Sequence, residues 1–145
     1  MTKEFEILNN AERALLLKAP VLVSILASCS YNEINKAQKG EAIKLSHLKT
    51  FTADPLLVPY YIEVEKNFRE KFEETIKLFL PCDEVKRNML KREIDRVNKL
   101  ISGLDQEYAA ALHKSLDGYA KHVKKAAHSI FQDFIFPMPI KGLTY

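Results

Sequence analysis

The chain has few of the residues that build hairpins, disulfide frameworks and membrane spans. Its 145 residues include only 4 glycines and 2 cysteines, and no stretch shows the apolar and polar alternation that is typical of a strand. The longest apolar run, residues 14–29, is interrupted by Lys18 and Pro20 and falls short of the roughly 20 residues that cross a bilayer. We therefore expect an all-α fold with no sheet and no membrane span.

The N-terminal residues also lack the features of an export signal. No basic region is followed there by an apolar run and a small-residue cleavage site, so the cytoplasm is the predicted compartment. Cys29 and Cys82 lie far apart in the sequence and do not have the spacing of metal ligands. Because disulfides are rare in the cytoplasm, we expect these two cysteines to remain unpaired.

Motifs of catalysis are missing as well. The sequence contains no glycine-rich phosphate loop and no Gly-x-Ser-x-Gly turn, and no histidine lies near either cysteine in the sequence. No catalytic residue and no cofactor are predicted. A binding or structural role is favoured over an enzymatic one.

The composition is that of a globular helical protein. With 47% hydrophobic and 28% charged residues, residues 1–145 are predicted to form a single helical domain, with residues 137–145 as a C-terminal tail. The net charge of +3 comes from the second half, since residues 1–81 carry 11 basic and 11 acidic side chains and residues 82–145 carry 11 and 8. This mild excess argues against nucleic acid as the main partner.

Capping residues and prolines divide the first half into helices. Asn9 or Asn10 is predicted to cap a helix that contains the apolar run, with a kink or break at Pro20 because proline cannot donate a backbone hydrogen bond. Asn35 is predicted to cap a second helix that ends near Thr50.

The next part of the chain has the clearest helical periodicity. Asp54 followed by proline is a start signal, and Pro59 indicates either a short turn before the main helix or one bent helix. The apolar stripe predicts one amphipathic helix that ends at Pro81. This stripe consists of Tyr61, Val64, Phe68, Phe72, Ile76 and Phe79.

Two further helices are predicted in the second half. Asp83 caps one of them and Gly103 ends it, and Asp105 caps the last and longest helix, which ends at residues 136–139. The apolar faces consist of Leu90, Ile94, Val97 and Ile101, and of Leu112, Leu116, Tyr119, Val123, Ile130 and Phe134. The prediction is therefore a single compact bundle of five main helices, or of six or seven if Pro20 and Pro59 divide two of them, around the buried N-terminal helix.

The segment of residues 30–38 reads Ser-Tyr-Asn-Glu-Ile-Asn-Lys-Ala-Gln. Together with the apolar helix before it, this segment resembles the Ala-Asp-Gly-Glu-Ile-Asp-x-x-Glu turn of the tellurite-resistance TerB-like family of small bacterial helical proteins. The resemblance covers about residues 11–50. It implies a non-enzymatic cytoplasmic protein that acts by protein contact or as a stress-associated scaffold, and a divalent-cation patch formed by acidic residues around the turn.

The chain differs from that pattern at the positions where acidic side chains would bind the cation. Tyr31, Asn35 and Gln38 stand in place of acidic residues, and hard cations select sites in which several carboxylates converge. Glu33 and Glu41 alone would form a weak site, so no tight metal binding is expected. In a purely structural interpretation, Asn35 caps the next helix and Gln38 completes its capping box.

A carboxylate-based metal site inside the bundle is an alternative. Glu65 and Glu93 lie near apolar stripes and could point inward, but the sequence contains no Glu-x-x-His pair of the kind found in such bundles. Whether Glu33, Glu41, Glu65 and Glu93 converge in space decides between these interpretations.

Basic side chains on the last helix are the candidate partner-binding residues. Lys114, Lys121 and Lys125 lie opposite the apolar stripe, with Lys124 and His128 beside them. A second basic cluster on the preceding helix consists of Arg87, Lys91, Arg92 and Arg96. We hypothesise that the two clusters form one patch for an acidic protein or a nucleic-acid backbone, the alternative being an ordinary solvated surface.

The C-terminal segment of residues 134–140 is unusually apolar for a chain end. Chain ends fray unless something holds them in place. The segment is predicted either to pack on its own bundle or to contact a protein partner or a second copy of the chain.

Overall fold

The computed structural model describes residues 3–29 and 36–135, which form helices joined by short turns. The helices are α1 (Lys3–Glu6), α2 (Asn10–Leu17), α3 (Ala19–Ser28), α4 (Lys36–Thr52), α5 (Val58–Lys66), α6 (Phe68–Phe79), α7 (Glu84–Ser102) and α8 (Gln106–Ile135), with a 3₁₀ turn at Pro55–Leu57 before α5. Those residues contain no β-strand, which confirms the all-α prediction. None of their helices is both long and apolar enough to cross a membrane.

The break between α2 and α3 follows from Pro20. Asn9 caps α2 through a capping box, because its Oδ1 accepts from the Glu12 backbone N–H at 2.8 Å and Glu12 Oε1 accepts from the Asn9 N–H at 2.9 Å. Pro20 lies in the first turn of α3, where a backbone N–H is not needed. It cannot donate to the Leu16 carbonyl, and the Tyr60 hydroxyl donates to that carbonyl instead, at 2.7 Å. The predicted break is confirmed.

The stripe that predicted a single helix up to Pro81 belongs to two helices. Asp54 caps the 3₁₀ turn by accepting from the Leu56 N–H at 2.9 Å, and the chain leaves helical geometry again at Asn67, between α5 and α6. Asparagine has a low helix propensity and tolerates such a backbone. The prediction of one continuous helix is wrong, although Phe68 and Phe72 on α6 are buried as expected.

In the second half of the chain, α7 and α8 begin at the predicted capping residues. Asp83 Oδ1 accepts from the Lys86 N–H at 2.8 Å at the start of α7, and Asp105 Oδ2 accepts from the Tyr108 N–H at 3.3 Å at the start of α8. Gly103 follows the last residue of α7. The predicted end of the last helix at residues 136–139 and the tail of residues 137–145 lie outside the described residues.

Helix α3 forms the centre of the bundle, in contact with α4, α6, α7 and α8. Its Leu22 and Ile25 side chains are fully buried. Buried tyrosines surround this centre, and two of their hydroxyls join neighbouring helices: the Tyr61 hydroxyl lies 2.5 Å from the Ser115 hydroxyl, and the Tyr119 hydroxyl donates to the Ala42 carbonyl at 2.5 Å. Such bonds make the burial of a polar hydroxyl tolerable.

Cys29 and Cys82 form a disulfide, contrary to the prediction that they remain unpaired. Their Cα atoms lie 6.0 Å apart, within the usual range for a disulfide. The 53 residues of sequence separation are no obstacle, because α4, α5 and α6 leave the end of α3 and return to it. The bond joins the residue after α3 to the residue before the cap of α7.

Candidate partner-binding groove

A groove of about 580 Å³ lies between α3, α7 and α8, and we call it the basic groove. Its apolar lining includes Val23, Leu26, Ala27, Ile94, Leu116 and Ala120. Its cationic lining consists of Arg87, Lys91, Lys121 and Lys124. A volume of this size lies in the range of sites that bind small molecules.

The apolar floor of the basic groove is only partly covered by the protein itself. Val23, Leu26 and Ile94 pack against the core but stay partly open to solvent. When a partner covers such apolar surface and removes it from water, binding becomes more favourable by about 25 cal/mol per Å². The floor can therefore supply affinity.

Arg87 is fixed at the end of the groove that holds the disulfide. Its Nη2 donates to the Cys29 carbonyl at 3.3 Å, and this carbonyl lies at the C-terminal end of α3. A cation is stabilising at this position because the C-terminal end of a helix carries partial negative charge and attracts it. No local sequence pattern predicts this contact, because the two residues are 58 positions apart.

The other cations of the groove differ in their pairing. Lys121 Nζ lies 2.8 Å from Asp117 Oδ2, and this hydrogen bond raises the pKa of the lysine. The ammonium groups of Lys91 and Lys124 have no ion-pair partner within the described part of the chain. Among the described residues, the lining thus has four permanent cations and one carboxylate, that of Asp117, and the field of these charges attracts anions.

Only some of the basic side chains predicted as partner-binding residues on the last helix line the groove. Lys121 and Lys124 line the basic groove, whereas Lys125 lines only a neighbouring depression of about 590 Å³ that also includes Lys121, Lys124 and His122. Lys114 lines neither of them. The side chain of His128, predicted to lie beside these lysines, is outside the described part of the chain.

The second basic cluster is divided in the same way. Arg87 and Lys91 line the groove, whereas Arg92 and Arg96 do not. Arg96 Nη1 lies instead 3.3 Å from Glu93 Oε1 on the same helix. The structure therefore brings two residues of each predicted cluster around one groove.

Two of the candidate metal ligands, Glu41 and Glu65, pair with separate histidines. Glu41 Oε2 lies 3.1 Å from His122 Nε2, and Glu65 pairs with His47 between α4 and α5. Among the described residues, no three His, Cys, Asp or Glu side chains form a group that could hold a metal ion. Glu33 lies outside the described residues, so a weak site formed by Glu33 and Glu41 stays a prediction.

Gln38 links the start of α4 to the groove helices. Its side chain is buried, and its Nε2 donates to the carbonyls of Ala27 and Lys124, each at 3.5 Å. A glutamate at this position would place a carboxylate against the same two carbonyls. The proposed capping box with Asn35 is not tested, since Asn35 lies outside the described residues.

Comparisons with protein-family models, with curated proteins and with solved structures found no match to this chain.

Proposed function

We propose that this chain is a non-enzymatic binding protein whose basic groove takes an acidic segment of a protein partner, one that carries apolar side chains beside its carboxylates. The observation that supports this is the convergence of Arg87 and Lys91 from α7 with Lys121 and Lys124 from α8 around a shared apolar floor. Protein interfaces combine an apolar centre with a polar rim in this way.

The two parts of the groove have different roles in this proposal. Exposed ion pairs contribute about 0–1 kcal/mol each, so the floor supplies most of the affinity. The cations select acidic partners and accelerate association. A nucleic-acid backbone matches the cations but offers few apolar side chains to the floor, and a net charge of +3 is modest for a nucleic-acid-binding domain. An acidic protein segment satisfies both parts.

Protein contact is also the role implied by the TerB-like resemblance, which stays a prediction, as do the bacterial source and the scaffold or homo-oligomer role. The cytoplasm stays a prediction too. The disulfide bears on it directly, because a reducing cytoplasm keeps most cysteine pairs open and the closed pairs found there are commonly transient or regulatory.

The proposal is tested with a fluorescent helical peptide whose faces carry Glu and Leu, and with a second peptide in which Gln replaces Glu. We expect the acidic peptide to bind and the K91E/K124E variant to lower its affinity about tenfold at low salt, because two attractive contacts become repulsive. The matched control is R92E/K114E, which makes the same charge changes on the same two helices outside the groove. We expect the control to stay within about twofold of the native protein.

Three results contradict the proposal. The first is equal loss of affinity in both double variants, because a general field of positive charge would then explain the binding. The second is equal affinity for the Glu and Gln peptides. The third is tighter binding of single-stranded DNA than of the acidic peptide, which would favour the nucleic-acid alternative.

A further inference from the structure

The disulfide lies at one end of the basic groove and connects two of its walls. Cys29 follows α3 and lines the groove, and Cys82 precedes Asp83, the cap of α7. Arg87, one turn into α7, donates to the carbonyl of Cys29. The covalent bond and this hydrogen bond therefore hold the same two helix ends together.

We infer that the redox state of the Cys29–Cys82 bond controls how tightly the groove holds its acidic partner, an inference that rests on the proposed function of the groove. While the bond is closed, the end of α3 and the first turn of α7 keep the spacing that places Arg87 at the groove. When it opens, only non-covalent contacts position this end.

The reaction is exchange with a cellular dithiol. One thiolate of the dithiol attacks Sγ of Cys29, because Cys29 is partly exposed at the groove whereas Cys82 is only 4% exposed. The Cys29–Cys82 bond breaks, Cys82 leaves as a thiolate, and a mixed disulfide forms on Cys29. The second thiol of the dithiol then releases Cys29. Both cysteines end as thiols, and the dithiol, oxidised by two electrons, ends as a disulfide.

The hydrophobic core of the bundle does not depend on the Cys29–Cys82 bond. α3 contacts both α7 and α8, and Val97 of α7 and Leu116 of α8 are buried in the core of the bundle. Opening the bond therefore loosens one end of the groove while the bundle persists. A partner that binds the loosened groove must order one or two residues again, which weakens its affinity about tenfold.

The test measures the affinity of the acidic peptide for the oxidised protein and for the same protein after dithiothreitol treatment, with free thiols counted in each sample. We expect about tenfold weaker binding after reduction, with an unchanged far-ultraviolet circular dichroism spectrum. The C29A/C82A variant should bind like the reduced protein and should not respond to dithiothreitol.

Two results overturn the redox inference and leave the proposed function intact. One is equal affinity in the oxidised and reduced protein while K91E/K124E still weakens binding. The other is loss of the helical spectrum on reduction, since the bond would then hold the whole fold together rather than the groove. Absence of peptide binding in either redox state overturns the proposed function, and with it the inference.

Discussion

Opening the Cys29–Cys82 bond should lower the free energy of unfolding by about 4 kcal/mol. The bond joins residues separated by 53 positions, and a cross-link across a loop of that size removes about this much conformational entropy from the unfolded chain. Single domains have total stabilities of about 5–15 kcal/mol. The reduced protein should therefore stay folded at room temperature, with a much smaller margin.

Urea unfolding followed by circular dichroism measures this difference. For a slope of about 2 kcal/mol per molar urea, the midpoint of the reduced protein should lie about 2 M below that of the oxidised protein. Comparing two redox forms of one sequence avoids the cavity that an alanine would leave at the buried Cys82. The C29A/C82A variant is a second sample whose midpoint should not change with reductant. Equal midpoints for the oxidised and reduced native protein would refute the reasoning, as would two free thiols in the untreated, unfolded protein.

Two further predictions concern the buried tyrosines. Tyr60→Phe removes the hydroxyl that donates to the Leu16 carbonyl at 2.7 Å, and should lower the free energy of unfolding by about 1–2 kcal/mol in the same urea assay. An unchanged urea midpoint would contradict this prediction. Burial raises the pKa of Tyr61 to about 12 and the pKa of Tyr119 further, whereas unfolded tyrosines titrate near 10. Because the folded state keeps these protons longer, stability is full below about pH 10 and falls as the pH rises toward 12, by up to about 3 kcal/mol for Tyr61. Absorbance of tyrosinate should then rise together with loss of helix, and titration of all tyrosines near pH 10 without unfolding would contradict this.

The parts of the fold that the sequence predicts well are those set by neighbouring residues. Asn9, Asp83 and Asp105 cap helices as predicted, because a capping bond reaches only two or three residues along the chain. The break at Asn67 was missed because the apolar stripe keeps its period on both sides of it. Periodicity records which side faces the core, and it does not record whether the backbone stays helical.

The basic groove depends on contacts that periodicity does not encode. Of the two basic clusters that we hypothesised to form one patch, Lys91 and Lys124 line the groove and Arg92 and Lys114 do not. Which lysines of a helix face a neighbour depends on how the helix is rotated in the bundle. For Lys124 the useful signal is its position beside the apolar stripe, one position after the buried Val123. Lys121 lies opposite the stripe in the helical projection and lines the groove without that signal.

The disulfide is the clearest case of information held only in the folded chain. Composition and the N-terminal sequence favoured free cysteines, and nothing local to Cys29 or Cys82 contradicts that view. Their proximity results from the path of α4, α5 and α6. The contacts of Gln38 with Ala27 and Lys124 are also absent from any local pattern, because they depend on the positions of α3 and α8 in the folded chain.

Methyl-group nuclear magnetic resonance of the full oxidised chain, titrated with the acidic Glu and Leu peptide, locates the bound peptide without assuming which residues matter. If the basic groove is the binding site, the largest shifts should fall on the methyl groups of Val23, Leu26 and Ile94, which line it. Ile7 and Ile62, exposed elsewhere on the surface, should hardly move. Shifts concentrated on Ile7 or Ile62, or no shifts at saturating peptide, would contradict the assignment of the groove as the binding site.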